Sequence, residues 1–312
     1  MPVPLLEIDN LRVDYGGLTA VRNLSLSVDA GTIFGLIGPN GAGKTSTIRA
    51  VSTLVEPTYG QIRICGTNVE LEPRKALAKL GYMPDFPPAY EDLSLQEFLA
   101  LFASAYAIPK NQRHAKIGEL LDQVSLLDKR DELVGSLSRG MRQRLFLAKT
   151  LLHDPEVLLL DEPASGLDPI ARGQLIEVIQ RLGNAGKAVV VSSHILTEMD
   201  RFCNAVGIMD NGEMKLAGRI EDIVTSMTEE QVIKIQLTTA REGLGTFLTQ
   251  QEHTSKVRIE ANHCSLTFAG SEEERAALLK ALIQAEFSVS AFSAHNADLN
   301  EIFHAVAGGE EE

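Results

Sequence analysis

The sequence predicts an α/β fold with a mostly parallel central sheet, preceded by an antiparallel β subdomain and followed by a small α+β module. Three observations lead to this prediction. Apolar, strand-like runs alternate with helical patterns through most of the chain, which is typical of parallel sheets. A glycine-rich stretch follows one of these runs and opens a helix. The pattern changes after about Ile223, so we expect one domain in residues 1–222 and another in residues 223–312.

Size and composition suit this architecture. The chain has 312 residues, of which 44% are hydrophobic, enough to bury a substantial core. No apolar run approaches the roughly 18 to 20 residues that span a bilayer, and we expect no signal peptide. Cys65, Cys203 and Cys264 lie far apart without metal-ligand spacing, so we expect reduced cysteines in a cytosolic protein.

The net charge of −13 is distributed unevenly. Residues 1–220 contain 26 acidic and 23 basic side chains, a net charge of −3, whereas residues 221–312 contain 16 and 6, a net charge of −10. Nucleic-acid binding favours basic surfaces, so this balance argues against a nucleic-acid partner. We interpret the acidic C-terminal part as a solvated surface that aids solubility.

The first elements are expected to form the antiparallel subdomain and the start of the core. Apolar and polar residues alternate in the first strand. The helix after the glycine-rich loop should stop before a proline. In chain order we expect strands at Leu5–Val13 and Leu24–Val28 with a turn at residues 15–17 between them, a strand at Thr32–Ile37, a helix from Lys44 to about Leu54 and a strand at Gln61–Cys65.

A helical subdomain is expected over about residues 90–150. Ser94 and Glu97 form a capping-box pattern at its start. Another helix should begin near Ser138, because apolar residues repeat at helical spacing after it. Buried strands are then predicted at Val157–Leu160 and Ala188–Ser192.

The C-terminal part has the predicted order βαββαβα, which suggests a ferredoxin-like α+β module. Ser271 and Glu274 form a second capping-box pattern there. We expect strands at Ile233–Leu237, Val257–Ile259, Ser265–Phe268 and Phe287–Phe292, with helices at Arg241–Gln251, after Ser271 and over Leu299–Val306.

The glycine-rich loop matches the phosphate-binding pattern G-x-x-x-x-G-K-[ST]. Its residues are Gly38, Pro39, Asn40, Gly41, Ala42, Gly43, Lys44 and Thr45. Glycines let consecutive N–H groups point inward around an anion, beside the positive end of the helix dipole. Lys44 should reach the β- and γ-phosphates, and the Thr45 hydroxyl should ligate Mg²⁺. A chance match in such a chain is on the order of 1%, and the strand–loop–helix context reduces it further.

Two carboxylates follow a buried strand. Asp161 and Glu162 end the run Val157–Leu160, and ligands of open α/β sheets bind at such strand ends. Asp161 should help to hold Mg²⁺, and Glu162 is the candidate general base or water-positioning residue for hydrolysis. The alternative is that Asp161 and Glu162 merely belong to an acidic loop after a strand. Because the chain also contains a phosphate loop, this alternative is the weaker one.

Further motifs resemble the nucleotide-binding domain of the ABC transporter family, over about residues 4–220. The stretches that carry the resemblance are the signature at residues 137–143 (LSRGMRQ), the second carboxylate motif with its D-loop at residues 161–169 (DEPASGLDP), and the switch histidine at the end of residues 192–194 (SSH). They occur in the family's order. That conjunction is more specific than any single motif.

The resemblance implies an ATPase that uses ATP and Mg²⁺. It places Tyr15 where an aromatic ring stacks on adenine, and His194 where it contacts the γ-phosphate and couples it to Glu162. Ser46 and Asp168 complete the predicted nucleotide-binding set. The alternatives are that Tyr15 is a plain turn residue and that His194 is a polar residue after a strand.

The resemblance also implies a homodimer with shared ATP sites. Ser138 and Gly140 begin a helix, whose N–H groups form a second anion site. In the family this site caps the γ-phosphate that the other subunit binds, so two ATP molecules lie between two subunits. Ser138 as a plain N-cap is compatible with that role.

Asp85 departs from the family pattern, which usually has glutamine there. A carboxylate can ligate Mg²⁺ as an amide oxygen does, but it adds negative charge beside phosphate. The alternative is that Asp85 caps the turn before Pro87. The apolar segment Phe86–Tyr90 beside it suits a docking surface for a permease helix.

Our leading hypothesis is the ATP-hydrolysing subunit of an ABC transporter. It would act with a separate transmembrane permease on the cytoplasmic face of the membrane and make no direct contact with the cargo. The C-terminal module resembles extensions of export-type subunits, which favours export. The alternative is an ABC-type ATPase that remodels or regulates a soluble complex, although such proteins commonly carry two nucleotide domains or a long coiled coil. A GTPase would need an N-K-x-D motif, which the sequence lacks.

Overall fold

The computed structural model describes residues 3–85, 89–195, 199, 201–227, 231–239 and 243–295. The chain divides into two compact units, Met1–Gly218 and Arg219–Glu312. Each unit has its own cluster of buried apolar residues. Within the described ranges, no helix is both long enough and apolar enough to cross a lipid bilayer.

The described part of the first unit contains a ten-stranded sheet of mixed direction, in the order β5-β4-β1-β2-β10-β9-β3-β8-β7-β6. Its strands are β1 (Leu6–Tyr15), β2 (Leu18–Val28), β3 (Ile33–Ile37), β4 (Tyr59–Ile64), β5 (Thr67–Asn68), β6 (Leu80–Met83), β7 (Val157–Leu160), β8 (Ala188–Ser193), β9 (Ala205–Asp210) and β10 (Glu213–Arg219). Its helices are α1 (Lys44–Val51), α2 (Pro73–Leu77), α3 (Leu95–Ala105), α4 (Lys110–Gln123), α5 (Arg139–Thr150) and α6 (Pro169–Asn184).

The antiparallel subdomain forms where alternation predicts it. Strand β1 pairs antiparallel with β2 on one side and with β4 on the other. Alternate β1 residues such as Leu6 and Ile8 are buried, and their intervening neighbour Glu7 is not. One face of these strands therefore packs into the core while the other meets solvent.

The parallel part of the sheet is buried on both faces. Strand β3 lies between β8 and β9, and β8 pairs with β7, all in parallel. Every residue of β3, β7 and β8 is buried, as expected for strands covered on both sides. The register places Ile37 beside Ser193 and Leu160 beside Val191, so the carboxyl ends of these strands meet at one edge.

The expected helical region contains α3, α4 and α5. Ser94 accepts a hydrogen bond from the Glu97 amide, and the Glu97 carboxylate accepts one from the Ser94 amide, which confirms the predicted capping box. Phe98 packs edge-on against Phe102 and Phe146, with centroid distances of 5.0 and 5.9 Å. These rings link α3 to α5 across the region.

Several element boundaries differ from the expected ones. Helix α1 ends at Val51 rather than near Leu54, because the chain turns at Thr53, whose φ is +59°. Strand β2 starts at Leu18 instead of Leu24, because its first residues pair with the end of β1. Strands β9 and β10 were not predicted. Strand β9 is almost fully buried, so its burial does not alternate along the strand. Strand β10 alternates only between intermediate and exposed residues, which is a weak strand signal.

The second unit contains a four-stranded antiparallel sheet in its described residues, in the order β12-β13-β11-β14. Its elements are α7 (Ile220–Met227), β11 (Gln231–Leu237), α8 (Leu244–Thr249), β12 (Thr254–Glu260), β13 (His263–Phe268), α9 (Glu272–Gln284) and β14 (Val289–His295). Ser271 and Glu274 form the predicted capping box. The helix predicted over residues 299–306 lies outside the described residues.

Candidate nucleotide site

A glycine-rich loop joins the buried strand β3 to helix α1. Gly43 has a φ of +102°, and a Cβ there would lie 2.5 Å from the carbonyl oxygen of Ala20. A Cβ at Gly38 would overlap the carbonyl oxygen of Met209. Both positions require glycine, because a side chain would not fit these close approaches, and Gly43 also needs the φ freedom of glycine.

Lys44 is buried beneath this loop, with 6% of its surface exposed. Its Nζ donates hydrogen bonds to the carbonyl oxygens of Gly38, at 2.6 Å, and Pro39, at 3.0 Å. Burial lowers the pKa of the ammonium group, and the negative charges of Glu162 and Asp161 oppose that shift. The loop carbonyls thus hold a cation at the start of α1, where the helix N–H groups also point.

Asp161 lies opposite the loop at the end of β7. It is 4% exposed, and its Oδ1 is 3.4 Å from the Thr45 hydroxyl. Ser192, at the end of β8, donates a hydrogen bond of 2.6 Å to the same Oδ1. The Ser192 oxygen accepts a hydrogen bond of 2.9 Å from the Glu162 amide. Ser192 therefore fixes both carboxylate residues, a contact that the sequence analysis did not identify.

Glu162 and His194 form a pair beside these groups. The Nδ1 atom of His194 lies 3.1 and 3.0 Å from the two carboxylate oxygens of Glu162. Glu162 has a φ of +48°, an uncommon backbone conformation for a residue with a side chain, and such outliers cluster at functional sites. The Glu162 side chain is 17% exposed and that of His194 is 44% exposed, so the pair is reachable from solvent.

One cavity of about 590 Å³ brings most of the predicted residues together. Its predicted lining residues are Tyr15, Asn40, Gly41, Ala42, Gly43, Lys44, Thr45, Ser46, Asp85, Glu162 and His194. The sequence analysis missed the remaining wall, which consists of Leu18, Thr19, Ala20, Arg22, Ser165, Asn211 and Gly212. Most of that wall comes from β2 and the β9–β10 turn, where sheet order rather than a motif supplies the neighbours. A second cavity of about 530 Å³, between β1, β4 and the end of α1, contains none of the predicted site residues.

Asp85 is the third carboxylate of this region. Its Oδ1 is buried and has no hydrogen-bond partner. Burial raises the pKa of the Asp85 carboxyl, and the charges of Asp161 and Glu162 raise it further, whereas Arg139 lowers it. The Phe86–Pro88 part of the proposed docking segment lies outside the described residues.

Six predicted site residues do not line the cavity: Gly38, Pro39, Ser138, Gly140, Asp161 and Asp168. Ser138 caps α5 by accepting a hydrogen bond of 3.3 Å from the Met141 amide. Asp168 caps α6 by accepting hydrogen bonds of 3.0 Å from the amides of Ile170 and Ala171. A Cβ at Gly140 would overlap that of Ala171, so glycine allows α5 to approach α6 closely. The N-terminus of α5 therefore does not contribute to the wall of this cavity.

Comparison with known sequences places these features in a family. A sequence model described as ABC transporter matches residues 21–165. The chain is 35% identical over 255 residues to the Nod factor export ATP-binding protein I of Burkholderia lata, an alignment that covers 81% of this chain and 84% of that protein. It is 29% identical over 271 residues to the linearmycin resistance ATP-binding protein LnrL of Bacillus subtilis, covering 87% of each.

The chain is also similar to solved structures of ABC transporter subunits. An ATP binding subunit of an ABC transporter matches with a TM-score of 0.65 and 32% identity, over 72% of this chain and 93% of that one. CbiO1 from Clostridium perfringens, part of the ABC transporter complex cbiONQ, matches with a TM-score of 0.65 over 73% of this chain and 95% of that one. Its identity of 20% shows a shared fold.

Proposed function

Because this chain belongs to the ABC transporter family, we propose that it powers export through a separate membrane permease. It is an ATP-binding subunit that hydrolyses ATP. The observation that carries this function is one cavity lined by a phosphate loop with its lysine and by the Glu162–His194 pair, with the Asp161 carboxylate 3.4 Å from the Thr45 hydroxyl of that loop. The direction of transport rests on the relatives, which include a Nod factor export protein and a linearmycin resistance protein.

ATP is proposed to lie along this cavity from Tyr15 to Glu162. Tyr15 is 40% exposed at one end, where its ring is available to stack on the adenine base. The loop N–H groups and Lys44 would hold the phosphates at the start of α1. The Gly38 and Pro39 carbonyls hold Lys44 at the base of the loop.

The residues present suit a Mg²⁺ site next to the phosphates. The Thr45 hydroxyl and the Asp161 carboxylate are hard oxygen donors close to each other, and the buried Asp85 Oδ1 lacks a partner. Among the described residues, no three His, Cys, Asp or Glu side chains form a metal cluster. The protein would thus supply few ligands, as at other Mg²⁺–nucleotide sites. When bound, Mg²⁺ would polarise the phosphate oxygens.

Glu162 is proposed to accept a proton from the water that attacks the γ-phosphorus. The bond between that phosphorus and the β,γ-bridging oxygen breaks, which gives ADP and inorganic phosphate. His194 orients the Glu162 carboxylate through the hydrogen bond at 3.0 Å. Ser192 fixes the backbone of Glu162 and the carboxylate of Asp161 at once. These two contacts would keep the base aligned with the phosphate loop.

A second copy of this chain is proposed to complete the site. Ser138 and Gly140, at the N-terminus of α5, do not line the chain's own cavity. A helix N-terminus favours anions, so it would cap the γ-phosphate that a partner copy binds. Two ATP molecules would then lie between two copies related by a twofold axis.

The subunit is proposed to work on the cytoplasmic face of the membrane. Its permease would be a separate transmembrane protein, and the permease rather than this chain would contact the cargo. The ATP-driven approach and separation of two copies would move the permease between its states.

Residues 1–222 are proposed as the nucleotide-binding domain and residues 223–312 as an accessory module of ferredoxin-like type. The strand order β12-β13-β11-β14 supports this type, because the first strand of the unit lies between the third and the fourth. The helices α8 and α9 connect strands in the βαββαβ order.

The substitution Glu162→Gln tests the hydrolytic function. It removes the proton acceptor but keeps the shape of the side chain, so we expect ATP binding to persist and turnover to fall roughly 10²-fold or more. The measurements are calorimetric ATP binding and phosphate release. The trapped ATP should also hold a dimer in gel filtration. Glu177→Gln, at an exposed position of α6, serves as the control, and parent-like hydrolysis by Glu162→Gln would remove Glu162 from this role.

A further inference from the structure

We infer that the cavity between β1, β4 and the end of α1, here called the α1–β4 cavity, is a second ligand site that binds an organic cation with apolar groups. Its volume is about 530 Å³, and it lies within the first unit. Ligand sites commonly measure about 300 to 1,000 Å³. The inference does not depend on ATP binding, because the α1–β4 cavity and the nucleotide cavity have no lining residue in common.

The buried part of the lining is apolar. Ala50, Ile62 and Val69 are buried residues of this lining, and Val55 and Pro57 are partly buried. Covering apolar surface with an apolar group removes both from water, which favours binding. The apolar part of a ligand would therefore lie against these residues.

Large apolar side chains are exposed in this lining and next to it in the chain. Tyr59 lines the cavity and is largely exposed. Leu54 and Leu71 each follow a lining residue, and both are largely exposed as well. Apolar groups that are exposed together mark binding surfaces. The face of the Tyr59 ring can also attract a cation.

The charge of the lining favours a cation. Asp9, Glu56 and Glu70 line the α1–β4 cavity, and none of its described lining residues is lysine, arginine or histidine. Asp9 pairs with Arg63 at 3.1 Å. The exposed carboxylates of Glu56 and Glu70 form no hydrogen bond or ion pair with another described residue, so they remain available to a ligand.

The end of helix α1 adds to this negative potential. The helix begins at Lys44 in the phosphate loop and ends at Val51, and Ala50 and Thr53 line the α1–β4 cavity. Backbone carbonyl groups at a helix C-terminus carry partial negative charge and favour cations. The two ends of α1 therefore suit ligands of opposite charge.

The strands provide a fixed wall for the cavity. The register of β1 and β4 shifts between Asp9 and Arg12. Asn10, within this shift, has a φ of +50°, and a Cβ at Gly60 would lie 2.6 Å from the Asn10 carbonyl oxygen. Asn10 and Gly60 both line the cavity. Irregularities of this kind in a sheet are common beside binding sites.

Binding of tetraphenylphosphonium to the full chain tests the inference. This probe carries one positive charge on four phenyl rings, and tetraphenylborate has the same shape with a negative charge. Equilibrium dialysis would compare the two probes. We expect one phosphonium ion per chain and at least about tenfold weaker binding of the borate. Excess Mg-ADP should change phosphonium binding by less than about twofold, because the nucleotide cavity has a different lining.

Variants of exposed residues locate the probe. The double variant Glu56→Gln/Glu70→Gln removes both unpaired carboxylates and should weaken phosphonium binding about fivefold. The matched control is Glu119→Gln/Glu177→Gln, at exposed positions of α4 and α6. It changes the net charge of the chain equally, so binding should stay within about twofold of the parent.

The Tyr59 ring is tested in the same assay. Tyr59→Ala removes the ring and should weaken phosphonium binding about fivefold, whereas Tyr59→Phe keeps an aromatic face and should stay within about twofold of the parent.

Three results would overturn the inference. The first is no phosphonium binding at probe concentrations up to about 1 mM. The second is equal binding of the two probes, which would indicate an apolar surface without charge selectivity. The third is displacement of the phosphonium by Mg-ADP, or equal binding by the two glutamate double variants, which would place the probe elsewhere. Failure of the proposed function would look different, because the chain would then lack ATPase activity while these probe results stayed the same.

Discussion

Lys44 and Asp85 show how single residues are adapted to a polyanionic ligand. Lys44 is a buried cation bonded to carbonyl oxygens, so its positive charge is not cancelled by a hydrogen-bonded carboxylate. Asp85 is a half-buried carboxylate, and burial and the charges of Asp161 and Glu162 raise its pKa. The positive charge of Lys44 should favour phosphate binding in the cavity, and the negative charge of Asp85 should oppose it. We therefore expect both residues to affect the affinity for ATP, and each can be tested separately.

Lys44→Ala should abolish nucleotide binding. The substitution removes the only side-chain cation that the motif places at the β- and γ-phosphates, and it leaves the loop carbonyls of Gly38 and Pro39 pointing at the site. The measurement is ATP binding by calorimetry. Lys75→Ala is the control, because Lys75 lies on exposed α2 and pairs with Glu72. Normal ATP binding by Lys44→Ala would contradict the phosphate-loop assignment.

Asp85→Ala should raise the Mg²⁺ concentration needed for hydrolysis, if the carboxylate ligates the metal. Asp85→Gln should behave as a conservative substitution, because its amide oxygen is also a hard ligand. The measurement is a Mg²⁺ titration of the ATPase rate for both variants and the parent. Three superimposable curves would leave Asp85 without a metal role and make it a turn residue.

At the scale of elements, the start of helix α5 has a structural cap at the residue that we propose for a second anion site. Ser138 accepts a hydrogen bond from the Met141 amide, and Gly140 packs closely against Ala171 of α6. The start of α5 is thus fixed by its contact with α6. Its exposed N-terminus lies outside the nucleotide cavity of its own chain, which makes a second copy the expected source of a phosphate.

Ser138→Arg should block ATP-driven dimerisation and leave ATP binding by the monomer nearly intact. The long side chain would fill the space that a partner's γ-phosphate needs, while the phosphate loop stays unchanged. The measurement is the dimer fraction with ATP in a Glu162→Gln background, by light scattering. Ser104→Arg, at an exposed position of α3, is the control.

A mixture of two variants tests the shared site further. In a mixed dimer, the Ser138→Arg copy supplies an intact phosphate loop and the Lys44→Ala copy supplies an intact α5 N-terminus. Such a dimer therefore has at most one complete site of two. A Ser138→Arg protein that dimerises on ATP as the parent does would show that α5 does not contribute to a shared site.

At the scale of the whole molecule, the chain separates into two units with independent cores. The first contains the described nucleotide cavity, and most buried apolar residues of the second belong to its own sheet and to helices α8 and α9. Residues 221–312, which belong to the second unit, also account for most of the net charge of the chain, −10 of −13. Nucleotide chemistry should therefore be independent of the acidic module.

A truncated chain of residues 1–222 should still bind Mg-ATP. Every described residue that lines the nucleotide cavity precedes this end. The measurements are cooperative thermal unfolding, to show that the shortened protein is folded, and ATP binding at fixed Mg²⁺. A folded 1–222 protein that binds no ATP would contradict the boundary or the site assignment.

Much of the site follows from local sequence. A buried strand, a glycine-rich turn and a helix start are consecutive in the chain at residues 33–45, so their geometry depends on local backbone preferences and is readable from a motif. The capping boxes at Ser94 and Ser271 are local for the same reason. Element boundaries such as the end of α1 were less accurate, because a single turn residue decides them.

The tertiary structure alone decided which distant residues meet. Ser192 reaches Asp161 because β7 and β8 are parallel neighbours. The β9–β10 turn reaches the loop because β9 pairs with β3. Arg139 lies over Gly166 because α5 packs against the start of α6. The sequence by itself determined the chemical groups and the family, since these depend on residue type and spacing. The neighbours depend on sheet order and helix packing, which long-range burial determines and no local pattern encodes.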